Sequence, residues 1–339
     1  MEQIIIVLQD RKIKVNSPLL LVPSGKDYIW GGQRLNDEFD KEIDMHPLAE
    51  TWECSTHPDG PCYVANGEYT GKQLADVIMM NPNILGKRHM GKTELPILVK
   101  FIDANRDLSV QVHPTDEYAK KYEDGQLGKT EMWYVLDAKK DSKLVYGLNN
   151  ICTREEIVNS VNSGTLNKYL QKVDVKKGDV FYIEAGTIHA IGAGCLIAEI
   201  QENSNLTYRI YDYDRVDKDG KKRQLDVEKA LDVAKLDYSV EPKQPLRVLN
   251  YRQGVASELL CRCKYFKVYR MIVNTERRQE VYYETDDLSF RVLLCVNGCG
   301  QILYCGGNIT FFKGDCIFIP ASSVRIKIHG QAQFLDIRG

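Results

Sequence analysis

Four side chains able to hold a divalent metal are spread through the middle of the chain: Gln111, His113, Glu131 and His189. Gln111 and His113 stand two apart in SVQVHPTDEYA, so a strand from Leu108 to His113 points both to one face and Val110 and Val112 to the other. Glu131 follows a polar, Gly-containing loop and opens a second apolar strand, Met132 to Leu136, so a hairpin would set its carboxylate beside them. His189 ends a turn after the strand Asp179 to Ile183 in KKGDVFYIEAGTIHAIG. Two neutral imidazoles, an amide and one carboxylate suit Zn²⁺ or another divalent first-row metal. A lone histidine on a strand is more often an ordinary core or surface residue, and it is the combination of the four that carries the reading.

The elements that must position these groups are short strands. Q-x-H, a Glu on the next strand, then G-D-x(7)-T-x-H resembles the two-motif pattern of the cupin superfamily, whose ligands sit on antiparallel jelly-roll strands. A repeat supports this: KKGDVFYIEAGTIH (176–189) and FKGDCIFIPASSVR (312–325) align without gaps, with Arg325 in the place of His189. The expected fold is mainly β, two cupin-type antiparallel jelly rolls with helical segments attached to the first. Residues 1–240 form the catalytic metal-binding unit, with helices at about 70–90 (N-cap Thr70) and 225–237, and residues 246–339 a C-terminal metal-free copy that packs against it. The Pro-bounded EPKQP at 241–245 reads as the linker. Ile4 to Leu8, Leu19 to Val22 and the alternating Trp52 and Cys54 read as further strands. ELPILVKFIDA reads as a mostly apolar buried strand whose Lys100 snorkels, pairs or points into the metal cavity.

Composition narrows the function classes. The chain has 339 residues, enough for one large or two medium domains. A net charge of −2 gives no reason to expect nucleic acid or an anionic membrane as partner. The opening MEQIIIVLQDRKIKV is too short in apolar residues for a signal segment, so a cytoplasmic protein is expected; a monomer is expected as well. The ten cysteines lack zinc-ribbon spacing and read as buried free thiols.

From VKFIDANRDLSVQVHPTDEYA through GKTEMWYVLDA and GTIHAIGAGCLIAEIQENSNLTYRIYDYDR, with IWGG and the A-E-T-W-E box upstream, the chain resembles type I mannose-6-phosphate isomerases, closest to the shorter bacterial form. The resemblance implies a zinc enzyme, one ion per chain, interconverting mannose 6-phosphate and fructose 6-phosphate. It places the ligands at Gln111, His113, Glu131 and His189 and a functional arginine at Arg209. Lys129 and Lys100 join Arg209 as catalytic candidates, and Ser109, Glu199 and Asp214 are assigned to substrate contact. The base is open among Lys100, Lys129, Glu199 and Asp214. Glu184 stands where the family usually has Pro, which puts a charge near the site. Two other classes fit parts of the pattern: a mononuclear iron oxygenase, because two His and a carboxylate also bind iron, and a non-catalytic sugar-phosphate-binding cupin.

Overall fold

The computed structural model describes residues 16–216, 219–277 and 279–339. Its strands form three antiparallel sheets. A six-stranded sheet runs Val180–Ile183, Glu131–Ala138, Cys195–Glu202, Ile97–Ala104, Glu50–Cys54, Ser24–Lys26. A five-stranded sheet runs Tyr208–Tyr211, Val110–Val112, His189–Ile191, Lys143–Leu148, Leu170–Asp174. These two face each other around a core that includes Trp30, Ile102, Val135, Phe181, Ile191 and Ile197. The third sheet holds ten strands, among them Val255–Arg262, Lys267–Asn274, Ile326–Arg338, Arg291–Tyr304 and Cys316–Ile319. The result is mainly β, with cupin-type jelly-roll architecture.

The six-stranded sheet is buried on both faces because it is covered on both. Val99, Phe101, Met132, Tyr134 and Ile200 on its outer face pack with Leu260, Val268, Leu294, Phe318 and Ile337 of the ten-stranded sheet. Every residue of Ile97–Ala104 and Cys195–Glu202 is therefore buried, which explains why ILVKFIDA is mostly apolar, broken only by Lys100 and Asp103.

The repeat is visible in the backbone. Gly178 (φ 88°) and Gly314 (φ 105°) occupy the left-handed region, where a Cβ would be strained, and each is followed by an aspartate that closes the same turn. Asp179 Oδ2 accepts from Lys176 N at 3.0 Å and Asp315 Oδ2 from Phe312 N at 2.7 Å.

Several expectations change. The strand at Ile4–Leu8 lies outside the described residues. The first two ligand strands do not form a hairpin: Val110–Val112 and Glu131–Ala138 belong to facing sheets, and the loop between them contains a helix, Asp116–Tyr122, capped by Thr115. The helix expected near 70–90 is short, Leu74–Met80 with Gln73 at its start, because Pro82 cannot continue it and 3₁₀ turns follow. The later helix spans Val227–Val233. A further helix, Arg154–Asn162, carries a capping box between Thr153 and Glu156. The stretch 241–245 is held rather than free, since the Gln244 side chain pairs with both backbone groups of Val180. Seven of the ten cysteines are buried and unpaired, while Cys299 and Cys305 are exposed.

The chain does not divide at that stretch. Leu19–Val22 pairs with Cys316–Ile319, and Tyr63–Val64 extends the same sheet. Cutting after residue 240 would strip the cover from Val99, Phe101 and Met132 and leave Leu19–Val22 without Cys316–Ile319 on one side, so the fragment should be insoluble. Soluble expression of residues 1–240 with a cooperative melt would contradict this.

Candidate metal centre

His189 opens its strand directly opposite Gln111. Arg209 lies opposite Gln111 on the next strand, and Tyr146 opposite His189 on the other side. One row across the five-stranded sheet therefore reads Arg209, Gln111, His189, Tyr146, with side chains on one face. Glu131 arrives from the facing sheet as the first residue of its strand, and His113 follows directly after Val112.

Candidate donor atoms of His113, Glu131 and His189 lie within 4.8 Å of one another, and all three residues are buried. The imidazoles are oriented from behind: His113 Nδ1 is 3.0 Å from Leu206 O and His189 Nδ1 is 2.8 Å from Thr187 O. A carbonyl only accepts, so each Nδ1 carries the hydrogen and each neutral ring turns an Nε2 lone pair inward. Glu131 Oε1 is 3.2 Å from His113 Nε2 and 2.7 Å from Lys129 Nζ, in geometry that makes no hydrogen bond, and His113 Nε2 and both Glu131 oxygens are left without one. Buried lone pairs converging on each other without a proton between them are what a cation would satisfy. Gln111 Nε2 lies 3.3 Å from His189 Nε2; turning the amide over would present its oxygen to the same point.

The protonation states favour metal. Burial raises the Glu131 carboxyl, but Lys129 and then His113 outweigh it and hold it well below the usual carboxylate range. Burial, helped by Lys129, pushes His113 down to about 3, and burial also lowers His189.

Beside the donors runs a line of alternating charge. Lys100, buried, lies 3.6 Å from Glu50 and 3.5 Å from Glu199, with its ammonium 4.6 Å from the centre of a Trp52 ring. Burial works to discharge Lys100, and Glu50 and Glu199 more than offset it, so its pKa is raised. Trp52 Nε1 donates to Glu50 at 2.8 Å and Trp133 Nε1 to Glu199 at 2.9 Å, fixing both carboxylates. Burial, then the charge of Glu131, lifts Glu199 to about 6. Burial, then Arg223, lowers the pKa of Arg209, whose Nε donates to Ser109 Oγ at 3.2 Å and Nη1 to Gln224 O at 3.1 Å.

The structure thus brings together Gln111, His113, Glu131, His189, Lys129, Lys100 and Glu199, with Arg209 and Ser109 on the same side. Ser109 touches Arg209 and so orients it. Asp214 does not join them: it is exposed on a left-handed turn (φ 54°) and pairs with Lys222 at 2.6 Å. Glu184 does not add a charge to the cavity, since it is exposed and pairs with Lys235. Glu50, Trp52 and Trp133 were not singled out for this site, although the alternation of A-E-T-W-E already puts Glu50 and Trp52 on one face.

Comparison with known proteins places this geometry. Residues 19–152 match the family model of the phosphomannose isomerase type I catalytic domain, and residues 257–338 that of the mannose-6-phosphate isomerase cupin domain. The mannose-6-phosphate isomerase ManA of Bacillus subtilis is 36% identical over 93% of this chain and 97% of its own length. The mannose-6-phosphate isomerase of Streptococcus mutans is 34% identical over 89% of this chain and 92% of its own. The crystal structure of a Bacillus subtilis mannose 6-phosphate isomerase superposes with a TM-score of 0.87 at 34% identity, covering 95% of this chain and 99% of that one.

Because His113 resists protonation down to about 3 while a free histidine titrates near 6.5, the unfolded chain binds a proton that the folded chain refuses between these values. That contribution to stability is full above about pH 6.5 and declines as pH falls toward 3. In metal-free protein, denaturant unfolding from pH 6 to 5 should lose stability more steeply in wild type than in His113→Gln, by at most about 1.4 kcal/mol per pH unit. Equal slopes would contradict the assignment.

Proposed function

The chain belongs to the type I mannose-6-phosphate isomerases, and from that premise we propose that it interconverts D-mannose 6-phosphate and D-fructose 6-phosphate through an enediol, with one zinc ion per chain held by Gln111, His113, Glu131 and His189. The observation that carries the metal is the set of buried lone pairs on His113 and Glu131 that converge without a hydrogen bond. A zinc ion there would polarise the carbonyl and hydroxyl oxygens of the sugar and offset developing negative charge.

The chain's own residues supply the rest. Isomerisation moves a proton between two neighbouring carbons, so a group that both takes and returns a proton near neutrality is needed. Glu199, a buried carboxylate whose pKa burial raises and whose position Trp133 fixes, is placed for that role. Lys100 does not, because its flanking carboxylates keep it charged, and its role here is to balance Glu50 and Glu199. Asp214 faces outward and drops from the candidates. Lys129 sits 2.7 Å from Glu131, where its ammonium can hold a substrate oxygen or phosphate beside the donors. Arg209 presents a guanidinium fixed by Ser109 and Gln224 next to Gln111 in the row, a placement suited to bidentate contact with an oxyanion.

Neither the oxygenase nor the non-catalytic binder is favoured by an observation of its own. Elemental analysis should give one zinc per chain, with His113→Ala and His189→Ala both losing it. Chelation should abolish fructose 6-phosphate formation and zinc should restore it. Full turnover by verified metal-free protein would overturn the proposal.

Arg209→Ala should lower kcat by roughly a hundredfold or more, the scale of losing one oxyanion donor, and Arg209→Lys should recover only part. The zinc content should stay unchanged. A rise in KM alone would instead assign Arg209 to the phosphate, and a fall in melting temperature with kcat intact would make it structural.

A further inference from the structure

The second jelly roll repeats the backbone plan of the first and reverses the charge at the matching place. In the first, Gly178 N donates to Val135 O at 2.7 Å and Val135 N to Asp179 O at 2.9 Å. In the second, Gly314 N donates to Cys295 O and Cys295 N to Asp315 O, both at 2.8 Å. Val135 therefore corresponds to Cys295, and the residue four positions earlier on each strand is Glu131 in one and Arg291 in the other. The flanking strands agree: Glu131 lies opposite Ile183 and Gln201, Arg291 opposite Ile319 and Arg338.

From Arg291 the row continues with basic residues only. Arg338 lies opposite Lys267, and Lys267 opposite Arg262, so four cations occupy the same end of four adjacent strands. Directly opposed residues have Cβ atoms about 4.5–5.5 Å apart, and like charges so placed destabilise a sheet. Asp336, held by Tyr283 Oη at 2.8 Å, lies 3.0 Å from Arg338 and 3.6 Å from Arg291. Among the described residues no carboxylate lies within ion-pair distance of Lys267, of Arg262, or of Arg88. Arg262, and then burial, depress the Lys267 ammonium, consistent with uncompensated positive charge.

Arg88, Lys267, Arg291 and Arg338 line one cavity of about 140 Å³, with Ser289 and Asp286. Asp286 accepts from Leu288 N at 3.0 Å, and its charge is outnumbered by the cations of the lining. The volume is well below the roughly 300 Å³ at which pockets for drug-sized ligands begin, so it fits a small anion. None of the metal-centre residues lines it. Surface cations are commonly spread apart; here three of that row, Lys267, Arg291 and Arg338, converge with Arg88 on one cavity, the arrangement that guanidinium and ammonium groups make for phosphate.

We propose that this cavity binds a phosphate-sized oxyanion, either inorganic phosphate or the phosphoryl head of a small monoester, at a site separate from the metal centre. The scaffold that places a carboxylate to hold a cation in the first jelly roll places an arginine to hold an anion in the second. The test is calorimetric titration of the zinc-loaded protein with inorganic phosphate at low ionic strength, comparing wild type with Arg88→Ala/Lys267→Ala. Any phosphate held at the catalytic centre is common to both proteins, so wild type should bind one more equivalent than the variant while kcat and KM stay the same. Lys267→Arg should keep the extra equivalent. Tighter binding of glycerol 3-phosphate than of phosphate would assign a monoester, and weaker binding the inorganic ion. In phosphate-free buffer the double variant should melt at or above the wild-type temperature, because repulsion in the row is relieved. Equal stoichiometry and affinity in the two proteins, or a variant that melts lower without phosphate, would overturn the proposal.

Discussion

A carboxylate with no hydrogen bond, shut away from water between two neutral imidazoles, is the constraint around which this structure is arranged. Glu131 is completely buried, and burying an ion without a partner is expensive enough that such groups ordinarily take up a proton. Here the neighbours prevent that: Lys129 supplies positive charge at 2.7 Å, and the carbonyls of Leu206 and Thr187 hold the imidazole hydrogens on the far side of each ring. The protein thus holds a concentration of lone pairs that a divalent cation would complete. The facing sheets exist in register to deliver them, since a slip of one residue in either would turn Gln111 and His189, or Glu131, away from the gap.

The same economy of charge extends outward. Glu50, Lys100 and Glu199 alternate in sign, and two indole N–H groups fix the outer members, so the acid nearest the donors keeps a pKa of about 6 instead of being locked into one state. A buried pair stripped of one partner is strongly destabilising, which ties stability and chemistry to the same residues. The second jelly roll has the same turns and strands around an apolar filling of Met271, Leu293, Cys295, Phe311 and Phe334, and bears cations at its rim. One backbone plan therefore carries two opposite electrostatic solutions, set by the residue at one strand position.

Much of this was legible in the chain, and the failures have identifiable causes. Gln111 and His113 share a side because strands have period two, and the G-D turn before His189 has a bonded counterpart before Arg325. What local pattern does not contain is which sheet a strand joins. Glu131 was expected from a hairpin, but Asp116–Tyr122 is helical and its strand pairs with residues some fifty to seventy positions away, in register with Ile183 and Gln201. Asp214 stands close to Arg209 in sequence, yet the left-handed turn at Tyr213 and Asp214 carries it to the surface. Membership of the isomerase family was readable from five motifs in order, whereas the indole bond from Trp133 to Glu199 depends on which strands lie side by side.

X-ray absorption spectroscopy on zinc-reconstituted protein tests the central claim most directly, because it reports the donor atoms themselves. Two imidazole nitrogens at about 2.0–2.1 Å and oxygen at about 2.0–2.2 Å are expected around the ion, with the outer scattering of two rings. A shell of oxygen alone, or sulfur at about 2.3 Å, would show that His113 and His189 do not hold the metal and would contradict the account.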